Sequence, residues 1–202
     1  LGYAFSHPAG LAGHLLEHRL RAALGNRAQL LRGPSEPRNE AVREPEHRTV
    51  AVAFLRFDGT DALLAGDGPA ALTAAIDELV RNVQDATAAH EVSFHETDVD
   101  ADGGKVMLVA GAPRSAGDDT DRLLAVVRRA VDRAGWLPLR AGVAHGRVFT
   151  GELGPVSHRT YSVKGDAVNL AARLASHAHP GSVLLAADVL EHTRRFYTVT
   201  DV

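Results

Sequence analysis

Apolar and polar positions follow two different periods along this chain, and these periods divide it into strands and helices. Short apolar runs rich in β-branched and aromatic residues predict strands, whereas apolar residues spaced three and four apart predict helices. The predicted strands span residues 49–57, 92–99, 106–110, 139–143, 148–149, 183–186 and 196–200, with a further short strand just before Gly165. The predicted helices span residues 69–90 and 121–134, a third runs from Asp166 to the Pro180-Gly181 pair, and a fourth lies between the last two strands.

The order of these elements predicts an α+β sandwich in which helices pack against a mostly antiparallel sheet. Residues 92–110 are predicted to form a hairpin with an Asp/Gly-rich turn. Residues 139–149 are predicted to form a second hairpin around His145-Gly146. The two strands of each predicted hairpin are joined by a short turn and are therefore antiparallel, so we expect little parallel pairing in the sheet.

The first quarter of the chain differs from the rest in pattern and composition. Leucines at helical spacing over residues 11–31 predict a helix, so residues 1–32 are interpreted as an N-terminal helical segment. Residues 33–47 are rich in Pro, Glu, Arg and Asn and are predicted to be a linker. The core domain is predicted to span residues 48–202. Because the first residue is Leu and the chain stops after an apparent strand, we expect a piece of a longer protein.

Composition narrows the possible functions. The chain of 202 residues is 45% apolar and 23% charged, with a formal net charge of −3, so it carries no basic footprint for nucleic acid. It has no cysteine, which excludes disulfides, thiolate metal sites and a cysteine nucleophile and fits a cytoplasmic setting. No apolar run reaches the length of about 18 residues that a membrane span needs.

Candidate chemistry is concentrated in residues 159–174, which are predicted to form a strand, a tight turn and a helix. Asp166 is expected to be the N-cap of this helix. Asn169 and Arg173 are four residues apart and therefore share one helix face. An amide next to a guanidinium suits an anionic ligand that carries a sugar. By itself such a pair is more often part of an ordinary amphipathic helix with solvated polar residues.

Residues 160–174 closely resemble the signature of class III nucleotidyl cyclases. That signature reads Tyr-Thr-Val, one residue, Gly-Asp, one residue, Val-Asn, one residue, Ala-Ala-Arg. Many positions match in register, so the resemblance is far more specific than a lone glycine motif. It extends over residues 139–154 and 178–181, and weaker matches continue back to about Arg48. The matching residues here are Tyr161-Ser162-Val163, Gly165-Asp166, Val168-Asn169 and Ala171-Ala172-Arg173.

This resemblance implies a ferredoxin-like class III cyclase sandwich and a role as a lyase in cyclic-nucleotide signalling. Such domains convert ATP or GTP into a 3′,5′-cyclic monophosphate and pyrophosphate, using Mg²⁺ or Mn²⁺ held by two aspartates. They work as head-to-tail dimers, homodimeric or heterodimeric, with the site at the interface. One subunit supplies the aspartates, and the other supplies residues that bind the base, the ribose and the phosphates.

The resemblance also assigns roles to three residues. Asn169 would orient the ribose, and Arg173 would stabilise the charge that develops in the transition state. Thr160 stands where the family places an Asp or Thr that reads the purine edge, which mildly favours adenine. All three are therefore candidate nucleotide-binding residues, and Asn169 and Arg173 are the candidate catalytic residues.

The positions that correspond to the metal-binding aspartates differ from the family pattern. Arg56 stands at the first aspartate, three residues before Gly59, and reverses the sign of the charge there. Gly104 stands at the second aspartate, and Asp100 at the base-reading lysine. No metal ligand is therefore assigned in this chain. Asp98, Asp100 and Asp102 remain on the hairpin turn, either as solvated turn residues or as ligands of a displaced metal.

Two functional hypotheses follow. In the first, the domain forms cyclic AMP from ATP when a partner cyclase domain supplies the metal aspartates. In the second, it is a catalytically silent cyclase homologue that senses nucleotide or dimerises within a larger signalling protein. A homodimer would carry Arg56 in both of its sites, so weak activity or none is predicted for the chain alone.

Overall fold

A six-stranded sheet lies at the centre of the protein. The computed structural model describes residues 45–100, 102–153 and 160–200, so the predicted helix at residues 11–31 and all but the end of the predicted linker lie outside the described residues. The strands are β1 (Glu46–Asp58), β2 (Ser93–Asp100), β3 (Gly103–Ala110), β4 (Arg140–Leu153), β5 (Thr160–Lys164) and β6 (Val183–Leu185). The helices are α1 (Thr60–Ala89), α2 (Asp119–Asp132), α3 (Asp166–His177) and a short 3₁₀ helix (Ala187–His192).

The strand order is β2-β3-β1-β4-β5, with β6 added beside β4. Every pair in this order is antiparallel, and only β6 runs parallel to its neighbour β4. The predicted α+β fold with a mostly antiparallel sheet is thus confirmed. None of the helices in the described ranges is long and apolar enough to cross a membrane.

Strand β1 is the central strand, and both of its faces are covered. Residues 50–53 are buried without alternation, as expected for a strand between two layers of helix. Helices α1 and α2 pack on one face, joined to each other by a hydrogen bond from Asn82 Nδ2 to the Ala130 carbonyl, 3.0 Å long. Helix α3 lies on the other face, over β4 and β1.

Helix α3 lies directly on the backbone of β4. A Cβ atom at Gly142 would come within 2.2 Å of the Ala175 nitrogen and 2.3 Å of the Ala171 carbonyl oxygen, distances that no side chain tolerates. Ala167, Ala171 and Ala175 form the buried stripe of α3. Small residues on both sides therefore allow the helix to approach the sheet closely and fix its position there.

Two predicted elements are wrong. Residues 139–149 do not form a hairpin, because β4 is continuous from Arg140 to Leu153 and Gly146 pairs with Val50 in mid-strand. A Cβ at Gly146 would lie 3.2 Å from the Ala167 side chain, so a small residue there suits the packing of α3 and does not mark a turn. Residues 196–200 form no strand in the described part of the chain, and Phe196 is fully exposed.

Helix α1 begins nine residues earlier than predicted. It starts at Thr60, directly after Gly59 in the turn that follows β1. Gly68 has φ 82° and ψ 178°, so two helical segments are joined by a kink immediately before Pro69. The spacing of apolar residues predicts only the segment after Gly68, because the segment before it has no long apolar stripe.

The segment after β6 is anchored to the sheet and to α2. Val189 of the 3₁₀ helix is buried, and the His192 ring stacks on the His145 ring with centroids 3.7 Å apart. The buried Asp121 carboxylate accepts the Arg194 backbone N–H at 2.9 Å. Burial and the neighbouring His192 lower the pKa of His145, and the carboxylates of Asp188 and Asp119 only partly oppose this.

We expect Gly142→Ala to destabilise the domain by about 2–3 kcal/mol, because the added methyl group forces α3 away from β4. Gly66→Ala is the matched control. A Cβ at Gly66 meets nothing within 4 Å, so the control should be neutral or more stable by up to about 1 kcal/mol. Urea denaturation of both variants measures this, and equal stabilities would contradict close packing at Gly142.

We expect the domain to lose stability as the pH falls below about 6.5, the ordinary pKa of histidine. His145 has a lowered pKa in the folded state, so the unfolded chain binds its proton first and acid favours unfolding. His145→Gln should reduce the loss of thermal stability between pH 7.5 and 5.5, whereas His179→Gln, at an exposed loop position, should retain it. Parallel pH profiles for the two variants would contradict this assignment.

Candidate functional site

The turn between β5 and α3 presents the start of the signature helix. Gly165 occupies the N-cap position with φ 158° and ψ 177°, a conformation that is essentially restricted to glycine. The prediction of Asp166 as the N-cap is wrong, because Asp166 is the first helical residue and no side chain caps this end. Its carboxylate instead lies in the first turn, where negative charge complements the helix dipole.

Asn169 and Arg173 are both exposed on the outer face of α3. The centre of the buried stripe is Ala171, and each of the two residues is two positions away from it. At 100° per residue each side chain therefore lies about 160° around the axis from Ala171, on the side of the helix opposite the sheet. The structure brings Asn169 and Arg173 together, as predicted, and directs both away from the sheet.

Thr160 is the first residue of β5, where its backbone pairs with Leu153. The side chain of Thr160 and residues 154–159 lie outside the described residues. Its predicted role in reading the purine edge therefore remains a prediction.

Arg56, at the position that the resemblance gives to the first metal-binding aspartate, lies within a row of basic residues that crosses three strands. Arg56 on β1 pairs directly with Lys105 on β3 and with Arg140 on β4. Directly paired residues of antiparallel strands share a face of the sheet, so the three basic side chains lie side by side. Asp98 on β2 pairs with Lys105 and extends the row. We call Lys105, Arg56 and Arg140 the cation row.

Two carboxylates contact the cation row among the described side chains. Asp58 lies two residues after Arg56 on the same face of β1, 3.7 Å from Arg56 Nε, and forms a salt bridge with Arg140. Asp98 forms a salt bridge with Lys105 at 2.8 Å. Arg56 retains 27% of its side-chain exposure, Lys105 32% and Arg140 16%, so the row is accessible from solvent.

Asp102 on the β2–β3 turn binds the start of α1. Its carboxylate accepts the Asp61 backbone N–H at 2.8 Å, the Gly59 N–H at 3.2 Å and the Thr60 hydroxyl at 3.3 Å. These contacts satisfy N–H groups that the first turn of a helix leaves without partners. They also tie the hairpin to the turn after β1, so this carboxylate is a structural cap.

The described residues do not fit the pair of divalent cations that the family uses. Arg56 places a guanidinium where a ligand is needed, and Gly104 offers no side chain at a buried position opposite Phe57. Of the three turn carboxylates, Asp98 is bound to Lys105, Asp102 caps α1, and the side chain of Asp100 lies outside the description. Within the described ranges, no group of three His, Asp or Glu residues is arranged to hold a metal ion.

The cation row is the feature that sequence reasoning missed. Arg56 stands out in the sequence, but nothing in the sequence places Asp58, Lys105 and Arg140 beside it. The hairpin pattern alone relates β2 to β3 and does not give the register of β1 between β3 and β4. That register is a tertiary property, and a shift by one residue would move Arg56 to the opposite face.

Comparison with known proteins gives the family. A model of the adenylate and guanylate cyclase catalytic domain matches residues 42–201. An adenylate cyclase from Mycobacterium tuberculosis is 29% identical over 171 residues, which cover 77% of this chain and 37% of that protein. The chain spans between 28% and 37% of the length of the curated relatives that it matches.

Solved structures show the same fold. The guanylate cyclase domain from Catenaria anguillulae in complex with GTP has a TM-score of 0.63 and 20% identity, and the match covers 73% of this chain and 83% of that chain. A non-canonical dimeric guanylyl cyclase domain from Blastocladiella emersonii has a TM-score of 0.64 and 20% identity, with coverage of 74% and 85%. The family match includes every described strand and helix, and the chain belongs to the adenylate and guanylate cyclase catalytic domain family.

Proposed function

We propose that this chain supplies the nucleotide-orienting half of a cyclase site and forms cyclic AMP from ATP when a second cyclase domain supplies the metal-binding aspartates. The observation that carries this proposal is the position of Asn169 and Arg173 on the outer face of α3. Two residues that point away from their own sheet serve a ligand held against another surface. A second domain docked on α3 provides that surface.

The two side chains suit the reaction that the family performs. The 3′-oxygen of the ribose forms a bond to the α-phosphorus, pyrophosphate leaves, and the hydroxyl proton passes to solvent. The Asn169 amide both donates and accepts hydrogen bonds, so it suits a ribose hydroxyl and ring oxygen. Arg173 carries a permanent charge and a planar set of donors, which suits the negative charge that accumulates on the phosphoryl oxygens.

A dimer of two identical chains would not complete such a site. Both copies would present Arg56, whose charge repels a divalent cation, and Gly104, which offers no ligand. The Arg56–Asp58–Arg140 contacts also engage the nearest carboxylate on the same face. The partner is therefore a cyclase domain of different sequence that retains both aspartates.

ATP is the favoured substrate, and GTP is the alternative. The mycobacterial relative is an adenylate cyclase, and Thr160 is compatible with adenine recognition by resemblance. The fungal structure in complex with GTP shares the fold at 20% identity, which carries no information on base preference here. The signalling role and the cellular compartment are part of the same proposal.

A silent regulatory module is the second candidate function. The observation that favours it is that polar contacts engage both turns near the expected metal positions, through Asp58 and the two arginines and through Asp102 at the start of α1. Such a module would bind nucleotide or a partner without turnover.

We expect the purified chain alone to form no cyclic nucleotide from ATP or GTP with excess Mn²⁺. Mixing it with a cyclase domain that retains both aspartates but carries Ala at its own Asn and Arg positions should produce cyclic AMP. Arg173→Ala in this chain should lower that rate by about 10²–10³-fold. Arg128→Ala is the control, since Arg128 is exposed on α2 and forms a local salt bridge with Asp132.

Two outcomes would contradict the proposal. Product that rises faster than linearly with the concentration of this chain alone would mean a working homodimeric site. Absence of product in every mixture, with both domains folded and associated, would favour the silent module.

We expect Arg56→Asp combined with Gly104→Asp to give the isolated chain measurable Mn²⁺-dependent cyclase activity. The first change removes the repelling charge at a solvent-accessible position, and the second restores the missing ligand. Arg128→Asp is the control for the charge reversal at position 56, since it changes the net charge by the same amount as Arg56→Asp. Circular dichroism must show that the double variant is folded, because position 104 is buried. No gain of activity in a folded variant would show that the metal positions are not the only altered part of the site.

A further inference from the structure

We infer that the cation row binds a linear polyphosphate, free or as part of a nucleoside triphosphate, without a divalent cation. This inference goes beyond the proposed function, because it requires only this chain's own sheet and no turnover. It concerns Lys105, Arg56 and Arg140, whereas the proposed cyclase role concerns Asn169 and Arg173.

The geometry of the row suits an extended anion. The three basic residues occupy directly paired positions on adjacent strands. Neighbouring strands are about 4.8 Å apart, so the row extends over about 10 Å. A single phosphate would bridge only one pair of neighbours. A chain of two or three phosphates offers charged oxygens along the whole row.

The charges of the row also favour an added anion. Like charges directly opposite each other on a sheet are destabilising, and here three cations are adjacent. Asp58 contacts both arginines and Asp98 contacts Lys105, and Arg56 and Asp98 each have a further contact as well. A polyphosphate brings more negative charge to the same face and relieves the repulsion along its full length.

The residue types match phosphate chemistry. Arg56 and Arg140 present planar donor sets that bind two phosphate oxygens at once, and Lys105 adds a compact point charge. Asp98 and Asp58 retain 59% and 38% of their side-chain exposure, so each can turn towards water when an anion binds. The Lys105–Asp98 pair, with side chains 32% and 59% exposed, is a surface ion pair of the kind that contributes little to stability, so its exchange for phosphate contacts is favourable.

The row thus performs with basic side chains part of what divalent cations do in the family, which is to neutralise phosphate charge. Guanidinium groups remain charged at every physiological pH, and they need no metal. Binding of this kind depends on ionic strength, because the row is partly exposed to solvent. We therefore expect the affinity to fall as salt is raised.

The test is isothermal titration calorimetry of the chain with sodium tripolyphosphate and with ATP, both in excess EDTA. We expect binding of both, with Kd raised about tenfold by Arg56→Gln and by Lys105→Gln, because each removes a charged hydrogen-bond donor. Arg128→Gln, which removes an exposed arginine on α2, should leave Kd unchanged.

The comparison of ligands identifies the source of the phosphates. Equal affinities for tripolyphosphate and ATP support binding of the phosphate chain alone. Tighter binding of ATP, still dependent on Arg56 and Lys105, supports a nucleoside triphosphate as the ligand. The inference is overturned if the folded chain binds neither ligand in EDTA, if binding requires Mg²⁺, or if Arg56→Gln and Arg128→Gln have the same effect.

Discussion

The position of β1 between β3 and β4 is the constraint on which most of this structure depends. Its antiparallel register with both neighbours builds the centre of the sheet and buries residues 50–53 on two faces. The same register puts Arg56 between Lys105 and Arg140. Because side chains alternate between faces along a strand, the buried apolar residues and the cation row are fixed together. A slip by one residue would bury the arginine and expose the core.

A second constraint, the close approach of α3 to Gly142, decides where the signature residues point. Ala167, Ala171 and Ala175 must face the sheet, so Asn169 and Arg173 must face the opposite side. The helix therefore separates the chain's two polar features, with the cation row on the sheet and the amide–guanidinium pair on the outer surface. This separation is the physical basis of the proposal that a nucleotide contacting Asn169 and Arg173 is held by a surface outside this chain's sheet.

Local sequence patterns predicted the fold well where local physics decides the structure. Strand β1, the buried stripe of α2 and the polar face of α3 followed from hydrophobic period alone. The predictions at Gly146, at residues 196–200 and at Asp166 were wrong because tertiary packing decides them. Gly146 is small to accommodate Ala167 across the layer, and Gly165 takes the cap because its backbone angles demand glycine. Predicting the cation row requires the pairing register of three strands, and the hydrophobic periodicity of the sequence does not give that register.

The two polar features respond differently to the loss of metal ligands. A residue that orients a ribose or a transition state can act in any assembly that presents a nucleotide to it. The proposed roles of Asn169 and Arg173 therefore do not depend on the metal positions of this chain. At the position that the resemblance gives to a metal-binding carboxylate, Arg56 carries the opposite charge, which is why we infer an anion site there. A polyphosphate is attracted to a carboxylate site through the cations bound there, and to a basic site directly. If the proposed polyphosphate site exists, Arg56 keeps the attraction for the phosphate chain without the divalent cation that activates it, and nucleotide binding is then separated from turnover within one domain.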